Sequence, residues 1–212
     1  ISLGLVGSEM CIRDRSILYN QQQTRGEDTG YVGTFLKQVR DVAALCNEKN
    51  IKIVSNAGGL NPRSMALEVE KILEELGLDL KVAYIDGDNL LPDLDQLQSD
   101  GECFTNLDTQ QHLKDSDQKA LTANAYLGGW GIKEALDQGA DIVICPRVTD
   151  AAVVIGPAAW KFNWQRNDYD ALAGALAAGH IIECGAQCCG GNYAFFEAVS
   201  YTHLRAHETQ RN

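Results

Sequence analysis

The sequence predicts an α/β protein whose mainly parallel, doubly wound sheet is flanked by helices and incomplete at both ends. Three short runs rich in β-branched residues alternate with longer stretches whose apolar residues recur at helical spacing. Strands that are joined through helices form right-handed crossovers, so these strands should lie parallel in one sheet. In such sheets ligands bind beyond the carboxyl ends of the strands, where turn residues follow each run.

The first predicted elements are a helix and a buried strand. Apolar residues between positions 31 and 46 recur every three or four residues, which predicts a helix with Asp28 or Thr29 as its N-cap. Residues 51–55 form a short β-branched strand. Residues 56–61, rich in glycine and asparagine, are predicted to turn away from it.

The second helix has a cap at each end. Asn61 is its expected N-cap, and Pro62 suits the first helical position because the missing N–H is not needed there. Gly77 ends the helix as a C′ glycine. The later elements are strand 80–85, a short helix at 93–98, helix 127–138, strand 141–145 and helices 151–160 and 169–184, with a polar surface excursion at 90–120.

Residues 1–15 and 198–212 are expected to be foreign to the fold. A DNA segment can be written whose one strand encodes residues 5–14 and whose complementary strand encodes residues 199–208. Natural termini have no reason to be inverted copies, and the implied DNA resembles the transposase adapter ligated to sequencing libraries. We therefore predict two translated adapter tails that pack poorly around one α/β domain fragment at 16–197.

The composition excludes some partners. The chain has 29 acidic and 18 basic residues, a formal net charge of −11, and binding to nucleic acid or anionic membranes requires clustered basic side chains. No apolar run approaches the roughly 20 residues of a membrane span. The cysteines are scattered through apolar segments without a disulfide framework, which indicates buried reduced thiols and a cytoplasmic location.

Two strand ends carry residues suited to an anion. Gly58 and Gly59 would let the backbone approach a ligand near the N-terminus of a helix; alternatively, they form an ordinary strand-to-helix turn. Arg147 offers a guanidinium fork for a carboxylate or phosphate, whereas the alternative is an ion pair with Asp150. One carboxylate cannot occupy all five donors of Arg147, so we predict that it faces the cleft with donors left for a ligand.

Other groups of residues leave their chemistry open. Asp86 and Asp88 suit Mg²⁺ binding or acid–base catalysis, or else one aspartate caps and the other is exposed. His180 and Glu183 share a helix face at a spacing that some metal sites use, but a hydrogen-bonded histidine fits equally well. The cysteines at 184, 188 and 189 favour packing; we predict no metal site and assign no cofactor.

Several blocks of the sequence, taken together and in order, resemble the acyclic terpene utilisation (AtuA-type) family. The blocks are Ser16-Ile17-Leu18 with Gly30-Tyr31, residues 54–62, residues 123–129, residues 139–143 with 147–150, residues 179–187 and Gly190-Gly191-Asn192. The resemblance covers nearly all of residues 16–196. Family members extend beyond both limits of this match, and Cys188-Cys189 departs from the Val or Thr of their pattern.

The resemblance implies a class of ligand but does not assign a reaction. Bacterial members are encoded beside biotin-dependent acyl-CoA carboxylases that degrade citronellol and geraniol, which suggests a branched acyl-CoA or its acid. The residues that match the family pattern are candidate site residues, but the resemblance assigns no catalytic role to any of them. They are Asn56, Gly58, Gly59, Asn61, Asn124, Tyr126, Arg147, Asp150, Glu183 and Gln187.

We therefore expect an enzyme-like domain that binds an acyl-CoA-derived or carboxylate anion at the strand ends. Arg147 would hold the anion, and Asn56, Asn124 and the backbone amides of the glycine loop would orient it. The candidate acid or base would be Asp86, Asp150 or Glu183. One alternative is a non-catalytic scaffold or accessory partner of an acyl-CoA carboxylase pathway, alone or as a homo-oligomer. Another is an inactive fragment with an open sheet edge.

Overall fold

A computed structural model describes residues 3–5, 12–116, 119–149 and 151–185. The strands are β1 (Leu3–Leu5), β2 (Lys52–Gly59), β3 (Val82–Tyr84) and β4 (Ile142–Pro146). The helices are α1 (Ile12–Arg25), α2 (Thr34–Lys49), α3 (Pro62–Glu75), α4 (Leu94–Ser99), α5 (Trp130–Asp137), α6 (Ala152–Lys161) and α7 (Tyr169–Cys184), with a 3₁₀ turn at Leu113–Asp115.

The four described strands form one sheet in the order β1-β2-β4-β3, and every pairing is parallel. Ile142 of β4 lies opposite Ile53 of β2 and opposite Val82 of β3. The predicted parallel α/β sheet is therefore confirmed. Because the strands are parallel, the segments that follow β2, β3 and β4 all leave from the same edge.

Helices cover both faces of the sheet. On one face, Ile53, Ile142 and Ile144 pack with the buried faces of α2 and α3. On the other face, Val54 and Val143 pack with buried residues of α5 and α6. Adjacent residues of a strand point to opposite faces, so a continuous run of apolar residues is what a sheet buried on both sides requires. This arrangement confirms the doubly wound prediction.

The largest difference from the predicted elements is the length of β2. The predicted turn at 56–61 begins only after Gly59, because the backbone of the preceding residues finds partners: the Ala57 carbonyl accepts from Val32 N–H at 2.9 Å. A Cβ atom on Gly58 would lie 2.6 Å from the carbonyl oxygen of Cys145 and 2.7 Å from Cβ of Pro62. The glycine thus allows β2 to approach β4 and α3 closely.

The predicted helix caps were right at α3 and wrong at α2. Asn61 accepts a hydrogen bond from Ser64 N–H at 3.1 Å, Pro62 opens α3, and Gly77 follows it with φ of +67°. The N-cap of α2 is Gly33, not Asp28 or Thr29. Thr29 instead uses its hydroxyl to donate to the Gly26 carbonyl at 2.8 Å, within the preceding turn.

Two elements lie wholly or partly in the predicted N-terminal tail. β1 occupies a sheet edge and pairs only with β2, through backbone groups that any residue supplies. Helix α1 begins at Ile12 and continues across the boundary at residue 15. The adapter origin of 1–15 stays a prediction, and residues 198–212 lie outside the described residues.

The cysteines agree only in part with the predicted burial. Cys46 and Cys145 are buried free thiols, and burial raises the pKa of both. Cys103 is exposed in the polar excursion, so the prediction was wrong for that residue. Cys188 and Cys189 lie outside the described residues. None of the described helices combines the length and apolar character needed to cross a membrane.

Residues 123–127, the crossing segment, span the carboxyl edge of the sheet between β3 and β4. At one end, Ala125 N–H donates to the Asp88 carbonyl at 2.7 Å. At the other end, Leu127 bridges to Val148, and its carbonyl accepts from Thr149 N–H at 2.9 Å. The segment therefore carries its side chains to the edge where ligands bind in doubly wound sheets.

Candidate functional site

The predicted loops converge on one edge of the sheet. Gly59, at the end of β2, lies opposite Pro146, at the end of β4, and Arg147 follows directly. The crossing segment brings Asn124 and Tyr126 to the same edge. The structure thus confirms that the segments after β2 and β4 open to the same end of the sheet.

Arg147 leaves β4, a strand whose five residues are all buried. Its Nε and Nη1 are buried and have no hydrogen-bond partner among the residues that the structure describes. The Cζ atom lies 5.5 Å from the centroid of the Tyr126 ring, a distance that allows a cation–π contact. A ring face cannot replace hydrogen bonds in the guanidinium plane, so Arg147 keeps donors for an anion.

Tyr126 also contacts a second arginine. Its side chain is exposed (46%), and Cζ of Arg15 lies 5.3 Å from the ring centroid. The Nη2 atom of Arg15 is buried and, within the described part of the chain, unpartnered. No local pattern marks Arg15 as a site residue, and it falls inside the predicted tail, which is why the sequence did not indicate it.

Asp88 is the buried carboxylate of this edge, with 3% of its surface exposed. It accepts a hydrogen bond from Nδ2 of Asn124 at 2.8 Å. Burial raises the pKa of the Asp88 carboxyl group, while the Asn124 hydrogen bond and the charge of Arg15 oppose the rise. Asp86 is exposed, and its Oδ1 accepts from Gly87 N–H at 2.7 Å. Of the two aspartates, Asp88 thus has the environment that favours acid–base chemistry.

Two asparagines contribute unpaired acceptors. Asn56, in β2, is 5% exposed, and its Oδ1 has no hydrogen-bond partner among the described residues. Asn124 uses Nδ2 for Asp88, which leaves its Oδ1 buried and likewise unpartnered. Buried amide oxygens without partners are costly, so these two atoms are available to a ligand that can donate hydrogen bonds.

Three predicted ligand-binding residues have roles within the fold itself. Gly58 fills the close contact between β2, β4 and α3, and Gly59 turns the chain with φ of +58°. Besides capping α3, Asn61 donates through Nδ2 to the Glu27 carbonyl at 2.9 Å. These contacts explain the residue types without a ligand.

The remaining predicted residues, Asp150, Glu183 and Gln187, follow β4 in the sequence. A Cβ on Gly179 would lie 2.7 Å from Cβ of Ala151, so α7 runs back along α6. Glu183, half-buried, is one helical turn after Gly179 in α7. Asp150 and Gln187 lie outside the described residues. No group of three metal-ligating side chains occurs within the described ranges.

Fold and site together define a doubly wound α/β domain whose carboxyl edge carries buried polar groups unused by the described fold. The chain belongs to the AtuA family of acyclic terpene utilisation proteins. The model of this family matches residues 8–207. This match confirms the resemblance and includes residues of both predicted tails. No curated protein and no solved structure matches the chain.

Proposed function

We propose that this chain is an enzyme-like domain that binds a carboxylate or acyl-CoA-derived anion in the breakdown of branched or terpenoid compounds. Membership of the acyclic terpene utilisation family supports the pathway. The observation that supports anion binding is that Nε and Nη1 of Arg147 are buried without a partner among the described residues. A planar pair of N–H donors matches the two oxygens of a carboxylate.

The surrounding residues supply supporting roles in this proposal. The guanidinium of Arg147 grips the anion, and the exposed ring of Tyr126 holds that guanidinium in place. Asn56 and Asn124 orient the ligand through their unpaired amide oxygens. The buried guanidinium offers its charge in a low-dielectric setting, where it acts more strongly than in water.

A carboxyl group at the same edge supplies the acid or base. Asp88 is better placed than Asp86, because it is buried and its pKa is raised, so it holds a proton closer to neutral pH. Asp150 and Glu183 stay candidates from the segments that follow β4. The proposed location is the cytoplasm, where the acyl-CoA pathway operates.

The second candidate is a non-catalytic accessory partner of an acyl-CoA carboxylase pathway. The observation that favours it is that three large apolar side chains of α7, Leu176, Ile181 and Ile182, are exposed. Contact with a partner would remove this apolar surface from water. Anion affinity distinguishes the candidates, since an accessory role needs none.

The test is calorimetric titration of 3-methylbut-2-enoate and its CoA thioester into the protein and its Arg147→Lys variant. Lysine keeps the charge and loses the planar fork, so the affinity should fall by about 1–3 kcal/mol while the melting temperature changes little. Arg40→Lys is the control, because Arg40 is exposed and paired with Glu75 at 2.6 Å. Equal affinity of the protein and its Arg147→Lys variant contradicts the assignment of Arg147, and absence of binding favours the accessory role.

A further inference from the structure

Buried polar atoms that lack partners at the carboxyl edge include both donors and acceptors. Among the described residues the donors are Nη2 of Arg15 with Nε and Nη1 of Arg147, and the acceptors are Oδ1 of Asn56 and Oδ1 of Asn124. Buried polar groups in folded proteins are almost always hydrogen-bonded. The unused capacity of this edge therefore describes the hydrogen-bonding groups of the ligand that fits it.

These atoms belong to residues at one edge of the sheet. Both guanidiniums lie within 5.5 Å of the Tyr126 ring centroid. The charge of Arg15 also acts on Asp88, which Asn124 binds directly. Asn56 follows Ser55, which lies opposite Ile144 of β4, three residues before Arg147. The unpartnered donors of Arg147 and the two amide oxygens thus belong to the same edge of the sheet.

A simple carboxylate can satisfy donors of this set but none of its acceptors. An ionised carboxylate has acceptors and no donor, so it pairs with Arg147 but leaves the amide oxygens of Asn56 and Asn124 unsatisfied. An unsatisfied buried acceptor costs about 1–3 kcal/mol. A ligand that carries one hydroxyl besides its carboxylate donates to one of these oxygens and removes that cost.

Asp88 fixes which end of the Asn124 amide faces the ligand. Its carboxylate accepts from Nδ2 at 2.8 Å, and rotating the amide by half a turn would bring Oδ1 against that carboxylate. The carboxylate thus holds Oδ1 toward the rest of the edge. Asn124 therefore presents an acceptor to the ligand, and a donor on the ligand is the group that it selects.

We propose that the substrate class of this site is a hydroxycarboxylate, an anion whose hydroxyl group donates to Asn56 or Asn124. This inference rests on the anion-binding function proposed above and narrows it. The carboxylate binds the fork of Arg147, and the hydroxyl lies toward the asparagines. Acids with the same skeleton and charge but no hydroxyl bind more weakly.

The test compares acids that differ only in the hydroxyl group. The affinities of 2-hydroxy-3-methylbutanoate and 3-hydroxy-3-methylbutanoate are measured by calorimetry against that of 3-methylbutanoate. At least one hydroxy acid should bind about tenfold more tightly than the plain acid, as expected for one hydrogen bond to a buried group. Equal affinity of all three acids overturns this inference and leaves the anion site standing. Absence of binding by all three overturns both.

The Asn56→Ala variant tests whether the tighter binding of the hydroxy acid depends on this edge of the sheet. Either this variant or Asn124→Ala should lower the ratio of the affinities severalfold, because the hydroxyl then loses its acceptor. Asn47→Ala, at an exposed position of α2, is the matched control and should keep the full ratio. If the ratio survives in Asn56→Ala and also in Asn124→Ala, the hydroxyl is not recognised by these asparagines and the inference fails.

Discussion

Replacing Arg147 by methionine should stabilise the protein in the absence of ligand while removing its affinity for anions. Two guanidinium nitrogens of Arg147 are buried without a hydrogen-bond partner among the described residues. Each unsatisfied donor costs about 1–3 kcal/mol, and the contact with Tyr126 returns about 0.5–2 kcal/mol. Methionine has similar length, no donor and a flexible apolar chain, so the variant should gain about 3 kcal/mol, the middle of the range that these magnitudes allow.

The assay is urea unfolding followed by circular dichroism, with the free energy of unfolding extrapolated to water. Arg40→Met is the control, since exposed pairs such as Arg40–Glu75 contribute at most about 1 kcal/mol. With saturating 3-methylbut-2-enoate, the unsubstituted protein and Arg40→Met should gain stability and Arg147→Met should not, because a ligand stabilises the state that binds it. A loss of more than about 1 kcal/mol in Arg147→Met without ligand would refute the reasoning, since it would mean that Arg147 is fully partnered within the fold.

Three further predictions concern packing, protonation and charge. Gly156→Ala should destabilise the protein by about 1–3 kcal/mol in urea unfolding, because its Cβ would lie 2.7 Å from the backbone oxygen of Gly129, the N-cap of α5. The unhindered Gly174→Ala in α7 should be neutral or stabilising, and equal effects of the two substitutions would contradict this packing. The raised pKa of Asp88 means that its contribution to stability is present below about pH 4 and is lost as the pH rises through the folded-state value. Asp88→Asn should therefore gain stability relative to the unsubstituted protein between pH 4 and pH 7, and a constant difference across that range would contradict the burial argument. Asp141→Ala should lower the free energy of unfolding by about 1–3 kcal/mol, because Asp141 binds Lys52 at 2.6 Å and a backbone N–H at 2.8 Å, and a loss below about 0.5 kcal/mol would contradict that role.

The sheet could be predicted because its signals are local. The β-branched runs, the cap at Asn61 and the glycine at 77 each depend on a few neighbouring residues, and each lies where expected. Parallel order follows from the alternation of strands and helices. Because parallel strands share a carboxyl edge, the position of Arg147 in the site also followed from the sequence.

The parts that escaped prediction depend on contacts between distant residues. Asp88 and Asn124 are 36 positions apart and meet in irregular chain, where no periodicity indicates which residues are buried. The sequence therefore indicates an acidic pair at Asp86 and Asp88 without indicating that Asp88 is the buried member. In the same way, the glycines after residue 55 indicated a turn, but pairing with β4 and with Val32 extends the strand through Gly59. Such tertiary pairing overrides local propensity.

The most direct measurement of the central claim is the Nε–H resonance of Arg147 in ¹⁵N-labelled protein, assigned by its absence in Arg147→Lys. In the unliganded protein this N–H has no acceptor among the described residues. Addition of 3-hydroxy-3-methylbutanoate should move its proton resonance downfield and slow its exchange with water, because a charged hydrogen bond forms. An unchanged Nε–H resonance at a ligand concentration that saturates binding would contradict the account, since it would place the anion away from Arg147.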